Sequence, residues 1–146
     1  MTTIATDGKS MAGDGLCTGN GMIHSMSTRK VHWTEDGCIV GISGSSYAVE
    51  TFLAWNPKED VLCDVPEDFE ALVLHPDGTC RSYNNKGMGM DQELPAVSGS
   101  GGAIALGAML AGATPEEAVR IACQRDICTG GIVTVEHLKG VIRRAA

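Results

Sequence analysis

The sequence predicts an α+β chain, because strand-like runs come first, two consecutive helices come late, and a strand-like run follows them. Three observations carry the prediction. Cys38 to Ile42 is a β-branched apolar run of the kind that fills an interior strand. Ala71 to Leu74 and Thr79 to Tyr83 flank His75-Pro76-Asp77-Gly78, which reads as a hairpin around a glycine-containing turn. Thr114-Pro115-Glu116-Glu117 is a capping box with proline at the first helical position.

In order along the chain, Thr2 to Thr6 reads as a short strand and Asp7-Gly8-Lys9 as a turn. The glycines between Ser10 and Thr18 suggest backbone that another segment approaches closely. Met22 to Thr28 reads as a strand. Ser46 is placed to cap a helix whose one face holds Ala48, Val49, Phe52 and Leu53, and Asn56-Pro57 should stop it. The acidic run from Lys58 to Glu70, with Pro66 inside it, reads as a loop. Asn84 to Asp91, rich in Gly and Met, reads as another.

Leu94 to Ser98 is expected as a strand. Ala103 to Leu110 is apolar all round, so a fully buried helix is expected, with Gly112 as its stop. The helix begun by the capping box should continue through Ala118, Val119, Ile121 and Ala122. Gly131 to Val135 reads as the last strand. No internal repeat and no interdomain linker is visible, so residues 1–146 read as one domain.

Composition narrows the function. A length of 146 residues suffices for one core. No apolar run is long enough to span a membrane, and the start lacks the basic-then-apolar pattern of a secretory signal. The formal charge of −7, with Arg143-Arg144 as the one basic cluster, argues against nucleic acid as a partner. Cys17, Cys38, Cys63, Cys80, Cys123 and Cys128 form no Cys-x-x-Cys pair and read as reduced thiols of a cytoplasmic protein. His24, His32, His75 and His137 are scattered and suggest no metal site.

The chain start carries the chemistry. Removal of Met1 would leave Thr2 with a hydroxyl and a free amine on one residue, and the amine can act as base for its own hydroxyl. Asp14, in Gly13-Asp14-Gly15, and Lys30, after Thr28-Arg29, could supply a charge pair that tunes it. Each has a plainer reading: Asp14 as a turn residue, Lys30 as a solvated charge.

Taken in order, these segments resemble the proteasome β-subunits and, most closely, the bacterial HslV peptidases. Gly41-Ile42-Ser43-Gly44-Ser45-Ser46 resembles the family's oxyanion-hole segment. Val97-Ser98-Gly99-Ser100-Gly101-Gly102 resembles its strand-to-helix turn. Arg125-Asp126-Ile127-Cys128-Thr129-Gly130-Gly131 resembles its late Asp-x-x-Ser/Thr-Gly-Gly element. Each piece alone is weak, but in order they span almost the whole chain.

The resemblance implies a four-layer αββα sandwich of the N-terminal-nucleophile hydrolase type, with a shortened first helical layer. It implies a threonine-type endopeptidase in which Thr2 attacks, Asp14 and Lys30 form the charge pair, and Gly44 offers the oxyanion donor. Ser100, Asp126 and Thr129 would form a polar shell around the Thr2 amine. Thr18, Ile42 and Ser46 would bind substrate, with Ile42 at the floor of the specificity pocket. The implied partners are a peptide or unfolded protein substrate, further copies of the chain, and an ATP-dependent unfoldase. No cofactor and no metal is expected; Arg125 and Gly131 replace residues usual near the family's sodium site.

The family's two long helices after the oxyanion segment are reduced here to one short candidate, which bears on ring assembly and on docking of an unfoldase. Two other functions compete with the peptidase: an amidohydrolase of the same type acting on small amides, and a catalytically silent scaffold.

Overall fold

Ile4, Met11, Val31, Ile39, Leu72 and Leu74 lose nearly all contact with solvent and meet in one cluster. Burying side chains of this size contributes about 1.5–3 kcal/mol each, and the strands that carry them are organised around that contact. The computed structural model describes residues 2–55, 62 and 65–139.

The elements are β1 (Ile4–Thr6), β2 (Ser10–Gly13), β3 (Cys17–Gly19), β4 (Met22–Ser25), β5 (Val31–Trp33), β6 (Ile39–Ser43), α1 (Ala48–Ala54), β7 (Glu70–Leu74), β8 (Cys80–Asn84), β9 (Gly89–Gln92), β10 (Ala96–Ser98), α2 (Gly102–Leu110), α3 (Pro115–Cys123) and β11 (Thr134–His137). One sheet has four strands in the order β10-β1-β2-β11, and another has five in the order β5-β6-β7-β8-β9. Strands β3 and β4 pair as a separate hairpin. The pairs in all three are antiparallel.

Strand alternation sorts the side chains into three buried clusters. Ile4 and Met11 from the four-stranded sheet meet Ile39, Leu72 and Leu74 from the five-stranded sheet. On the other side of the four-stranded sheet, Ala5 and Ala12 pack against Ala105 and Met109 of α2 and Ala118 and Val119 of α3. On the other side of the five-stranded sheet, Val40, Ile42, Ala71 and Val73 pack against Ala48 and Phe52 of α1 and Phe69.

Strand β6 and the β7–β8 hairpin lie where the apolar runs place them. The capping box is present in both halves: Thr114 Oγ1 accepts from the Glu117 N–H at 3.2 Å, and the Glu117 carboxylate accepts from the Thr114 N–H at 2.9 Å. At the glycines after β2 the backbone is closely approached, with Gly15 N–H bonded to Gly130 O and Gly15 O accepting from Thr28 N–H, both at 2.9 Å.

Other expectations are corrected. Ser46 does not cap α1; its N-cap is Tyr47, with no side-chain cap bond. Asn84 to Asp91 is not all loop, because Gly89–Gln92 adds β9 to the sheet edge, held by the β8 ladder and an Arg81–Asp91 ion pair at 2.7 Å. An edge strand exposed on both faces has no apolar run to announce it. Helix α2 is not fully buried: Ala105 and Met109 face the sheet, while Leu110 is 70% exposed. The last strand begins later than expected, at Thr134, and β2, β3 and β5 had no distinct strand signal. Asn56-Pro57, Cys63 and the first part of the Lys58–Glu70 run other than Leu62 lie outside the described residues.

Candidate active site

The tight β1–β2 hairpin brings the residues before β1 alongside those after β2. Thr3 N–H donates to Asp14 Oδ1 at 3.0 Å, and Asp14 N–H donates to Thr3 O at 3.3 Å. Asp14 is fully buried. Its carboxylate also accepts from Leu16 N–H at 3.3 Å, Gly130 N–H at 3.1 Å and the Lys30 ammonium at 3.0 Å. A buried carboxylate is tolerated only when its oxygens are satisfied in this way. Lys30, just before β5, is itself 7% exposed.

Thr2 lines a cleft of about 630 Å³ together with Thr18, Lys30, Ile42, Gly44 and Ser46. The β3–β4 hairpin supplies one side of this cleft through Thr18, Gly19 and His24. The end of β6 and the turn into α1 supply the other.

Two glycines shape the walls. Gly44 has φ +100°, and a Cβ there would lie 2.5 Å from the Asp68 carbonyl oxygen. Gly99 has φ +94°, and a Cβ there would lie 2.0 Å from Thr2 O. Only glycine combines that backbone conformation with such an approach. The turn from β10 into α2 therefore closes onto the backbone of Thr2, with Gly101 N–H donating to Thr2 O at 3.4 Å.

A polar group lies behind the same residue. Ser100 Oγ is 3.5 Å from Thr2 O and donates to Asp126 Oδ2 at 2.6 Å. The Thr129 hydroxyl donates to the same carboxylate oxygen. With that proton committed, Thr3 is the donor in the 2.7 Å contact between Thr3 Oγ1 and Thr129 Oγ1. Burial disfavours the charged form of Asp126, but hydrogen bonds from Ser100, Thr129 and Cys128 N–H outweigh it and hold the carboxyl below its usual range.

Thr2, Thr18, Lys30, Ile42, Gly44 and Ser46 thus share one cleft. Asp14, Ser100, Asp126 and Thr129 are outside its described lining; Asp14, Ser100 and Thr129 reach Thr2 or Thr3 by hydrogen bonds, and Asp126 is bonded to Ser100 and Thr129. Sequence reasoning missed Thr3, whose amide and hydroxyl join the Asp14 and Asp126 groups. The Thr2-Thr3 doublet was the available signal, but only its first member was weighed. Among the described residues, no His, Cys, Asp or Glu group could hold a metal ion.

No family model and no curated protein matches the sequence. Solved structures do match. Thiobacillus denitrificans BPH is 18% identical with a TM-score of 0.65, over 95% of this chain and 98% of that one. Eukaryotic HslV from Trypanosoma brucei is 19% identical with a TM-score of 0.68, over 92% and 97%. Thiobacillus denitrificans BPH in complex with epoxomicin is 20% identical with a TM-score of 0.67, over 94% and 98%. The chain shares the mixed α and β fold of these solved structures, HslV among them.

Proposed function

We propose that the chain is a threonine-type peptidase whose nucleophile is Thr2, freed by removal of Met1. The observation that carries this reading is the meeting of Thr2 with Lys30 in one cleft, with the Lys30 ammonium 3.0 Å from a fully buried Asp14. A charge pair so costly to bury is poorly explained by stability alone.

In the proposed reaction Thr2 Oγ1 attacks a substrate carbonyl carbon while its proton passes to the Thr2 α-amine. An α-amine has an ordinary pKa of about 7.7–8.0, so a useful fraction is unprotonated at neutral pH. The nearby Lys30 cation favours that neutral form and stabilises developing negative charge. The tetrahedral oxyanion would be met by Gly44 N–H; losing one such donor costs on the order of 10²–10³ in rate. The carbon–nitrogen bond then breaks, the leaving amine takes the proton, and an ester to Thr2 remains. Water then attacks the ester carbon, losing a proton to the Thr2 α-amine; the bond from that carbon to Thr2 Oγ1 breaks, the acid leaves, and the amine returns the proton to Oγ1.

Thr18, Ile42 and Ser46 would contact the substrate beside the nucleophile. Ser100, Asp126 and Thr129 would hold the amine in place. The packing of α1 on one sheet and of α2 and α3 on the other supports a four-layer αββα arrangement. The same reading takes the protein as cytoplasmic and self-assembling, acting on peptides or unfolded chains, with an ATP-dependent unfoldase as partner.

The test is intact-mass analysis before and after incubation with epoxomicin, the compound bound in one structural neighbour. Loss of Met1 followed by one adduct on Thr2 supports the reading. A processed chain that takes no adduct points instead to a silent scaffold.

A further inference from the structure

Ser43 at the end of β6 and Ser98 at the end of β10 are 5% and 3% exposed, and they belong to different sheets. Their hydroxyl oxygens lie 2.9 Å apart. Ser98 donates to the Glu70 carboxylate, from the first residue of β7. With its proton so committed, Ser98 can only accept from Ser43. The chain of bonds therefore runs from Ser43 through Ser98 to Glu70, anchored on a charge.

The core of the contact between the sheets is apolar, made by residues such as Ile4, Ile39 and Leu72, and at another edge Trp33 of β5 donates to Glu136 of β11. Two buried hydroxyls tied to a carboxylate are not needed to fill that space, and each costs desolvation. Their position in sequence suggests another use. Ser43 immediately precedes Gly44, the proposed oxyanion donor. Ser98 immediately precedes Gly99, whose α-carbon lies against the Thr2 carbonyl. The bonds thus join the backbone that carries the oxyanion donor to the backbone that seats the nucleophile.

We propose that Glu70, Ser98 and Ser43 act as positioning residues that fix the separation between Gly44 N–H and Thr2 Oγ1 across the two sheets; this rests on the reading of Thr2 as nucleophile. Catalytic geometry is steep in distance, and a misplacement of about 1 Å can cost on the order of 10²-fold in rate. Without the node the sheets remain packed on their apolar faces, but the separation at the cleft end is no longer set.

The experiment measures acylation of Thr2 by a peptide β-lactone, per folded molecule, in the parent, Ser98→Ala, Glu70→Ala and Glu70→Gln. Glu70 is exposed, so its variants retain the core and decide the question even where Ser98→Ala misfolds. The expected result is a roughly ten- to hundredfold slower acylation in Ser98→Ala and Glu70→Ala. Glu70→Gln, which keeps an accepting oxygen, should recover most of the rate. The acid limb of the pH–rate profile should not move, since the Asp14–Lys30 pair is untouched. A purely structural role would lower the melting temperature without slowing the folded fraction. Acylation of Glu70→Ala at the parent rate overturns the proposal alone; a processed parent that is never acylated on Thr2 overturns the peptidase reading with it.

Discussion

The Lys30 ammonium lies 3.0 Å from the Asp14 carboxylate, with side chains 8% and 0% exposed. The two are not equally dependent on each other. Asp14 also accepts three backbone N–H groups, from Thr3, Leu16 and Gly130. Removing Lys30 leaves a carboxylate that is still hydrogen-bonded, whereas removing Asp14 takes the shared acceptor from three backbone donors and the anionic partner from Lys30.

Lys30→Ala should therefore fold and lose turnover, while Asp14→Ala should lose turnover and about 3–5 kcal/mol of stability. Urea unfolding of both variants beside a peptide-hydrolysis assay checks the order. Equal destabilisation, or substantial turnover in Lys30→Ala, contradicts it.

Gly99→Ala should cost both stability and activity. The new methyl would sit 2.0 Å from the Thr2 carbonyl oxygen, on a backbone with φ +94°. The clash is relieved only by a shift of Thr2 or of the turn, and the backbone strain remains. The expected signature is a lowered melting temperature together with a fall in kcat; a variant with the parent melting temperature would show that the turn does not press on Thr2.

Asp126 gives a pH prediction with a definite sign. Its folded-state pKa is lowered, against burial, by the Ser100, Thr129 and Cys128 hydrogen bonds. The unfolded carboxyl titrates near 3.9. The stabilisation is therefore complete above about pH 3.9 and is lost as pH falls through the lower folded value. Comparing urea midpoints of the parent and Asp126→Asn at neutral and acid pH should show a gap that closes on acidification. A gap independent of pH contradicts this assignment.

Cys80 should be inert to alkylation in the folded protein. It is 3% exposed, and burial pushes its thiol up to about 12. Iodoacetamide at neutral pH should label it only after unfolding, as read by peptide mass mapping. Rapid labelling of Cys80 in the native state would contradict the packing of β8 against the core.

What could be read from the sequence follows from how local each signal is. Strand β6 and helix α3 were legible because an apolar run and a capping box are written in consecutive residues. Strand β9 was not, since Gly89 and Met90 owe their extended state to pairing with β8. Helix α2 misled because its residues are apolar all round, though its buried residues are Gly102, Ala105 and Met109. The candidate site residues were named from ordered motifs, and Thr2 and Lys30 do share a cleft. The contacts of Thr3 with Thr129, and of Ser43 with Ser98, join distant parts of the chain and had no local trace.

The most direct measurement is the mass of the intact chain, and of its N-terminal peptide, before and after epoxomicin. The account predicts that the working form begins at Thr2 and gains one inhibitor on that residue, and that Thr2→Ala gains none. A working form that still carries Met1, or an adduct found elsewhere with Thr2 unmodified, contradicts it.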